Sequence, residues 1–124
     1  MVKLFGLTML AIATASATPT ILDSWRPLKA SYTIFSGPTL ADREAPTKTD
    51  RKLTILMSGQ PAKEVFDSIG PDLPDTCSNE KGDRERTKQG VVCSYDASDG
   101  SPKGYRCWIG IDLRTGKGVH TVTC

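Results

Sequence analysis

Four cysteines constrain how this chain can fold more than any other feature; they are Cys77, Cys93, Cys107 and Cys124. Intervals of 15, 13 and 16 residues separate them, and no two have the close spacing typical of a structural zinc site. The chain also contains only one histidine, which leaves few nitrogen ligands for zinc. An even number of cysteines in a small chain is typical of disulfides if the chain is exported, which the pattern of residues 1–17 predicts. We therefore predict two disulfides, no metal site and no cofactor.

The C-terminal stretch, residues 105–124 (YRCWIGIDLRTGKGVHTVTC), predicts a β-hairpin, because two β-rich runs flank a turn-forming RTGK sequence. If Thr115 and Gly116 form a two-residue turn, the numbers of paired residues sum to 231. Cys107 then lies directly opposite Cys124, at a site where side chains approach closely. A three-residue loop with Gly116 in the left-handed region would pair Cys107 with Thr123 instead.

The first register sets the predicted disulfide connectivity. It joins Cys107 to Cys124 and leaves Cys77 to pair with Cys93, so each disulfide closes a short loop. It also places Ile109, Ile111 and Leu113 on one face with Val122, which favours this register over the alternative.

Residues 1–17 have the pattern of a secretory signal peptide. A short basic start precedes the apolar run of residues 4–13, and Ala15, Ser16 and Ala17 form a small-residue cleavage site. The alternatives are a membrane anchor and a buried helix, but the run is too short to span a bilayer comfortably. We expect cleavage after Ala17, a secreted or periplasmic protein, and no contact with a membrane after cleavage.

The rest of the chain predicts an N-terminal arm, residues 18–28, and one α+β domain, residues 29–124, in which a short helix packs on an antiparallel sheet. Trp25 is expected to dock the arm onto the domain. Strands are predicted at residues 29–36 and 51–58. Residues 84–95 form either one long strand or a hairpin that turns at residues 89–90.

The helix prediction comes from QPAKEVFDSIGP, residues 60–71. Pro61 suits the start of a helix, and an apolar stripe recurs at i, i+3, i+4 and i+7, formed by Ala62, Val65, Phe66 and Ile69. Gly70 is expected to end the helix in the left-handed conformation.

Charge argues against a nucleic-acid partner. Without residues 1–17 the chain has 15 lysine and arginine residues against 14 aspartate and glutamate residues. A nucleic-acid-binding domain normally carries a larger basic excess. We expect the partner to be another protein in the same compartment.

Residues 53–124 resemble small exported bacterial proteins of unknown function, which share a helix like QPAKEVFDSI, a cysteine loop and a final strand with a turn like LRTGK. The order of helix, Gly70, Cys77, Cys93 and hairpin is also similar to the repeat unit of β-lactamase inhibitor protein and of related outer-membrane-assembly lipoproteins. This second resemblance implies protein binding without catalysis. The chain differs in having a single such unit and no lipid-attachment cysteine.

The candidate binding residues are aromatic and arginine side chains, which commonly anchor protein interfaces. Trp108 is expected on the sheet face opposite Cys107, either exposed as an anchor or covered by residues 18–36. The other candidates are Arg106, Tyr105, Arg84 and Arg86; the two last lie in the charged run of residues 80–88.

No catalytic residue is assigned, because no nucleophile, metalloprotease or phosphate-loop motif is present. His120, which the predicted register places opposite Ile111, could still serve a small secreted hydrolase of the nuclease type together with Glu64 or Glu85. The first hypothesis is an exported protein-binding domain, for example an inhibitor or immunity protein. The alternatives are this hydrolase and a structural envelope protein or secreted effector.

Overall fold

The computed structural model describes residues 2, 6, 8–15 and 24–124. These residues form five strands and one helix, in the order β1 (Ala30–Phe35), β2 (Lys52–Ser58), α1 (Gln60–Ser68), β3 (Arg84–Lys88), β4 (Val91–Tyr95) and β5 (Tyr105–Asp112). The two predicted N-terminal strands are confirmed to within one residue. The predicted signal-peptide cleavage site lies outside the described residues.

The five strands form one antiparallel sheet with the spatial order β1-β2-β5-β4-β3. β3 and β4 are a hairpin that turns at Gln89 and Gly90, so the second of the two sequence alternatives is confirmed. The fold is mainly β, with one short helix on the sheet as predicted. Within the described part of the chain, no helix has the length and apolar character needed to cross a membrane.

Helix α1 packs on β5, β2 and β4 through the predicted apolar stripe. Ala62 and Phe66 are completely buried, and Val65 and Ile69 pack against the same core. A helix of nine residues is too short to be stable alone, so this burial is what maintains it.

The predicted left-handed glycine at the end of the helix is wrong. Ile69 is already extended, with φ −115° and ψ 152°, and Gly70 does not have a positive φ. Arg86 donates from Nη1 to the carbonyl oxygens of Phe66 (3.0 Å) and Ile69 (2.8 Å). Because a side chain from β3 satisfies these carbonyls, the helix needs no glycine cap.

The predicted disulfide connectivity is also wrong. The disulfides join Cys93 to Cys107, whose Cα atoms are 4.1 Å apart, and Cys77 to Cys124, whose Cα atoms are 5.5 Å apart. Cys93 and Cys107 are directly opposite each other on β4 and β5 and are completely buried.

The connectivity changes because a strand has only two edges. β2 pairs with β5 along one edge, and β4 pairs with residues 105–109 along the other. The C-terminal segment can therefore pair only beyond Ile109, where Ile111 lies opposite Gly118. In this register the numbers of paired residues sum to 229 rather than 231, so the predicted two-residue turn at Thr115 and Gly116 is wrong as well.

After Gly118 the chain crosses the face of the sheet opposite the helix. Val119 donates to the carbonyl of Gly110 at 3.0 Å, and Thr121 is buried over the same glycine. A Cβ atom at Gly110 would lie 2.3 Å from the carbonyl oxygen of Val119, so no larger residue fits there. The C-terminal segment thus forms a partial second layer.

Candidate functional site

A cavity of about 450 Å³ lies on this helix-free face of the sheet, at the end where β3, β4 and β5 are adjacent. Strand alternation and register bring six side chains to its floor: Glu85, Ser94 and Arg106 in one row, and Thr87, Val92 and Trp108 in the next. The volume is in the range of pockets that bind a small molecule or a few side chains.

The walls of the cavity are the loop of residues 73–78 and the C-terminal segment, residues 120–124. The disulfide between Cys77 and Cys124 links these two walls. The loop also contacts β3, because Leu73 N–H donates to the Glu85 carbonyl (2.8 Å) and Cys77 N–H donates to Glu85 Oε2 (2.7 Å). A covalent bond and two hydrogen bonds therefore hold the walls in place.

Trp108 is half-buried on the floor of this cavity. It is not fully exposed, in contrast to the first sequence alternative. Of residues 18–36, the described part (residues 24–36) does not line the cavity; the C-terminal segment and the loop of residues 73–78 do. Trp25 does not dock the arm as expected, since its side chain is 83% exposed.

Arg106 lies two residues before Trp108 and lines the same cavity. Among the seven arginines, all of which the structure describes, Arg106 is the one whose side chain makes no hydrogen bond or ion pair. The other six bind a carboxylate or a backbone carbonyl: Arg26, Arg43, Arg51, Arg84, Arg86 and Arg114. Hydrogen bonds from Ser98 lower the pKa of Asp96, which lines the same cavity, and the charge of Arg106 contributes to this lowering. No hydrogen bond from the described residues holds the Arg106 guanidinium, so its N–H groups can bind a ligand.

The other candidate residues have structural contacts on the helix side of the sheet. Tyr105 is 5% exposed and packs between the rings of Phe66 and Tyr95, with centroids 5.1 and 4.4 Å away. The guanidinium groups of Arg84 and Arg86 lie 4.9 and 4.5 Å from the centroid of Phe66. Arg84 is among the residues that line the cavity, although its guanidinium lies on the helix side, whereas Arg86 does not line the cavity.

Asp72 binds both of these arginines. It accepts from Arg84 Nε at 2.7 Å and from Arg86 Nε at 2.6 Å. The hydrogen bonds from Arg84 and then Arg86 lower the pKa of Asp72 to about 2. This ion-pair cluster links the loop after the helix to β3.

The two carboxylates considered for a hydrolase lie in different places. Glu85 lines the cavity together with His120, whereas Glu64 is on the helix and pairs with Arg26 at 2.8 Å. His120 Nε2 lies 2.8 Å from the carbonyl oxygen of Lys88, so Nε2 donates there and Nδ1 is the nitrogen available for proton transfer. His120 does not lie opposite Ile111, because the register differs from the predicted one.

One group of potential metal ligands occurs among the described residues, formed by Cys77, Glu85 and Cys124, with ligand atoms within 4.8 Å of one another. Both sulfur atoms belong to a disulfide, so neither is a thiolate that could bind a metal. The arrangement supplies a single carboxylate, which does not make a metal centre.

The sequence analysis missed much of the cavity. Thr87, Val92 and Ser94 form half of its floor, and Leu73 and Val122 contribute apolar wall. The period-2 alternation of RERTK, VVCSY and YRCWIG was a usable signal for the floor, because it separates residues 85, 92 and 108 from the cysteines. The walls had no comparable local signal.

Comparison with protein-family models, with curated proteins and with solved structures finds no match for this chain. The resemblance to β-lactamase inhibitor protein therefore stays a prediction.

Proposed function

We propose that this chain is an exported, non-enzymatic domain that binds another protein through the cavity on the helix-free face of the sheet. The observation that carries the proposal is that Arg106, whose guanidinium makes no hydrogen bond or ion pair with the described residues, lies on the cavity floor together with half-buried Trp108. Tryptophan and arginine are the residue types most enriched among the residues that dominate binding energy.

The chemistry of the floor indicates how a partner would bind. An apolar side chain fits against the indole of Trp108 and the neighbouring Val92. The guanidinium of Arg106 can form paired hydrogen bonds with a carboxylate of the partner. Because the Cys77–Cys124 disulfide and hydrogen bonds to Glu85 fix the walls, little conformational entropy of the walls is lost on binding.

The two disulfides are typical of an oxidising compartment, which supports export to the periplasm or the outside of the cell. A partner in that compartment would meet the protein in its folded, oxidised form. We expect the partner to be an enzyme, in which case the chain acts as an inhibitor or immunity protein.

Affinity capture tests this proposal. The oxidised protein is immobilised and exposed to envelope and culture-supernatant extracts of its own host, and the retained proteins are identified by mass spectrometry. Trp108→Ala and Arg106→Gln should each lose a stoichiometric partner while keeping the wild-type melting temperature. Trp25→Ala is the matched control, because it removes the same side chain type from an exposed position outside this cavity.

A stoichiometric partner retained equally by all four proteins would show that binding uses another surface. If wild-type protein at high loading retains nothing, the proposal fails.

A second candidate function is a small hydrolase, and one observation favours it. Glu85, Arg106 and His120 line the same cavity, so a carboxylate, a cation and an imidazole could act on one substrate. Assays of RNA and glycan hydrolysis with wild-type protein and His120→Ala decide between the candidates. Hydrolysis that depends on His120 would establish that the protein is an enzyme. No hydrolysis at high protein concentration would reject the hydrolase hypothesis.

A further inference from the structure

The two edges of the sheet are protected to very different extents. On the β3 edge, four of five residues are charged, Leu73 N–H bonds to the Glu85 carbonyl, and His120 bonds to the Lys88 carbonyl. On the opposite edge, β1 has the sequence ASYTIF, with no charged residue and no proline. Soluble proteins normally protect a sheet edge with charge, proline or a covering segment. β1 contains no charge or proline, and no segment among residues 24–124 hydrogen-bonds along its outer edge before Ser36.

The hydrogen bonds of Ser36 show which backbone groups of β1 point outward. Ser36 and Glu44 exchange both of their backbone hydrogen bonds at 3.0 Å, so the N–H and C=O of Ser36 point away from β2. Because these groups alternate in direction along a strand, those of Ala30, Tyr32 and Ile34 also point outward. Within the described residues, nothing in the chain binds these outward groups.

We infer that β1 pairs with β1 of a second copy of this chain, forming a continuous ten-stranded sheet across a two-fold axis at Tyr32. In this antiparallel register Tyr32 lies opposite Tyr32 of the second copy, and Ala30 lies opposite Ile34. In each copy, Ala30, Tyr32 and Ile34 each donate one backbone hydrogen bond and accept one. Six hydrogen bonds therefore form between the two copies, and every outward backbone group of these residues is satisfied.

The part of the β1 edge that is open for pairing is limited at both ends. Beyond Ile34 the edge position is occupied by Glu44, which binds Ser36. Before Ala30, Pro27 has no N–H and cannot extend a ladder. The unpaired stretch is therefore as long as the symmetric register requires.

The side chains favour the same arrangement. Tyr32 is 74% exposed in the single chain, and the axis places it beside its own copy as an aromatic cross-strand pair. Lys29 would face Phe35 of the second copy, so no like charges lie opposite each other. This interface is separate from the cavity and does not depend on its proposed role.

Sedimentation equilibrium of the oxidised protein over a range of concentrations tests the inference. Wild-type protein should dimerise, and Tyr32→Lys should raise the dimer dissociation constant by at least about tenfold, because two like charges then lie opposite each other at the axis. Its fold should be unchanged by circular dichroism, since the Tyr32 side chain is exposed. Ser31→Lys is the matched control, because its lysine faces Thr33 of the second copy and has no like charge opposite.

Hydrogen exchange supplies a second readout that is specific for this edge. The amides of Ala30, Tyr32 and Ile34 should become protected as concentration rises, whereas those of Ser31 and Thr33 should be protected at every concentration because they bond to β2. Wild-type protein that stays monomeric at its highest soluble concentration overturns the inference. A Tyr32→Lys dimer as tight as the wild type also overturns it.

Discussion

The hydroxyl groups of Thr54 and Thr121 lie 2.6 Å apart, joining β2 to the C-terminal segment across 67 positions of the chain. Both residues are almost fully buried, so neither hydroxyl has water as an alternative partner. This bond, together with the disulfide between Cys77 and Cys124, holds the C-terminal segment against the sheet, where it forms one wall of the cavity.

Replacing Thr121 by valine should lower the free energy of unfolding by about 1–3 kcal/mol, because it leaves the buried Thr54 hydroxyl without a partner. The double variant Thr54→Val/Thr121→Val should lose less than the two single variants combined, since it removes both polar groups. Urea unfolding measures each variant, with Thr123→Val, at an exposed position, as control. Strict additivity of the two substitutions would show that the hydroxyls do not interact.

Peptide mapping of the unreduced protein should recover Cys77 linked to Cys124 and Cys93 linked to Cys107. Trypsin separates all four cysteines, because lysine or arginine residues lie in every interval between them. A peptide linking Cys107 to Cys124 would support the connectivity expected from the sequence and contradict the structure.

The two disulfides should differ in their contribution to stability. They span 47 and 14 residues, so the chain-entropy model assigns about 4 kcal/mol to Cys77–Cys124 and about 3 kcal/mol to Cys93–Cys107. Cys77→Ala/Cys124→Ala should also abolish capture of any partner bound in the cavity, since it separates the two walls. Capture by a folded double variant at wild-type affinity would show that the tether is dispensable.

Asp72→Asn should reduce stability at neutral pH and have no effect in strong acid. The folded-state pKa of Asp72 is about 2, below the ordinary value of 3.8, because Arg84 and Arg86 hydrogen-bond the carboxylate. A lowered folded-state pKa contributes stability that is complete above the unfolded pKa and is lost as pH falls through the folded one. The difference between wild type and variant should thus be constant above about pH 5 and disappear between about pH 4 and pH 2.

The size of this effect should stay below about 1 kcal/mol, because the pair is partly exposed and screened by solvent. Urea unfolding across this pH range measures it, and Asp75→Asn is a control on the same loop. A stability difference that grows as pH falls would contradict the assigned role of Asp72.

Protein purified from its native host should lack residues 1–17 and begin at Thr18. Intact-mass measurement decides this, and the same spectrum should show four fewer hydrogen atoms than the reduced chain because two disulfides are present. Retention of the apolar run of residues 4–13 would indicate an anchor instead of a cleaved signal.

Local pattern was sufficient to predict most of the secondary structure. The stripe of Ala62, Val65, Phe66 and Ile69 identified both the helix and its buried face, because side chains three and four residues apart share one side of a helix. Alternation of apolar residues identified β1 and β2, and the presence of two disulfides followed from the number of cysteines.

Local sequence pattern therefore predicted this secondary structure and the number of disulfides, and the charge balance led us to expect no nucleic-acid partner. The pairing of the cysteines, the position of His120 and the shared cavity of Trp108 and Arg106 depend on contacts between distant parts of the chain. They could not be predicted because β5 has two edges, and the prediction assigned one of them to the C-terminal segment. Because β2 and β4 occupy both edges, that segment crosses the helix-free face of the sheet, and its contacts there create the cavity.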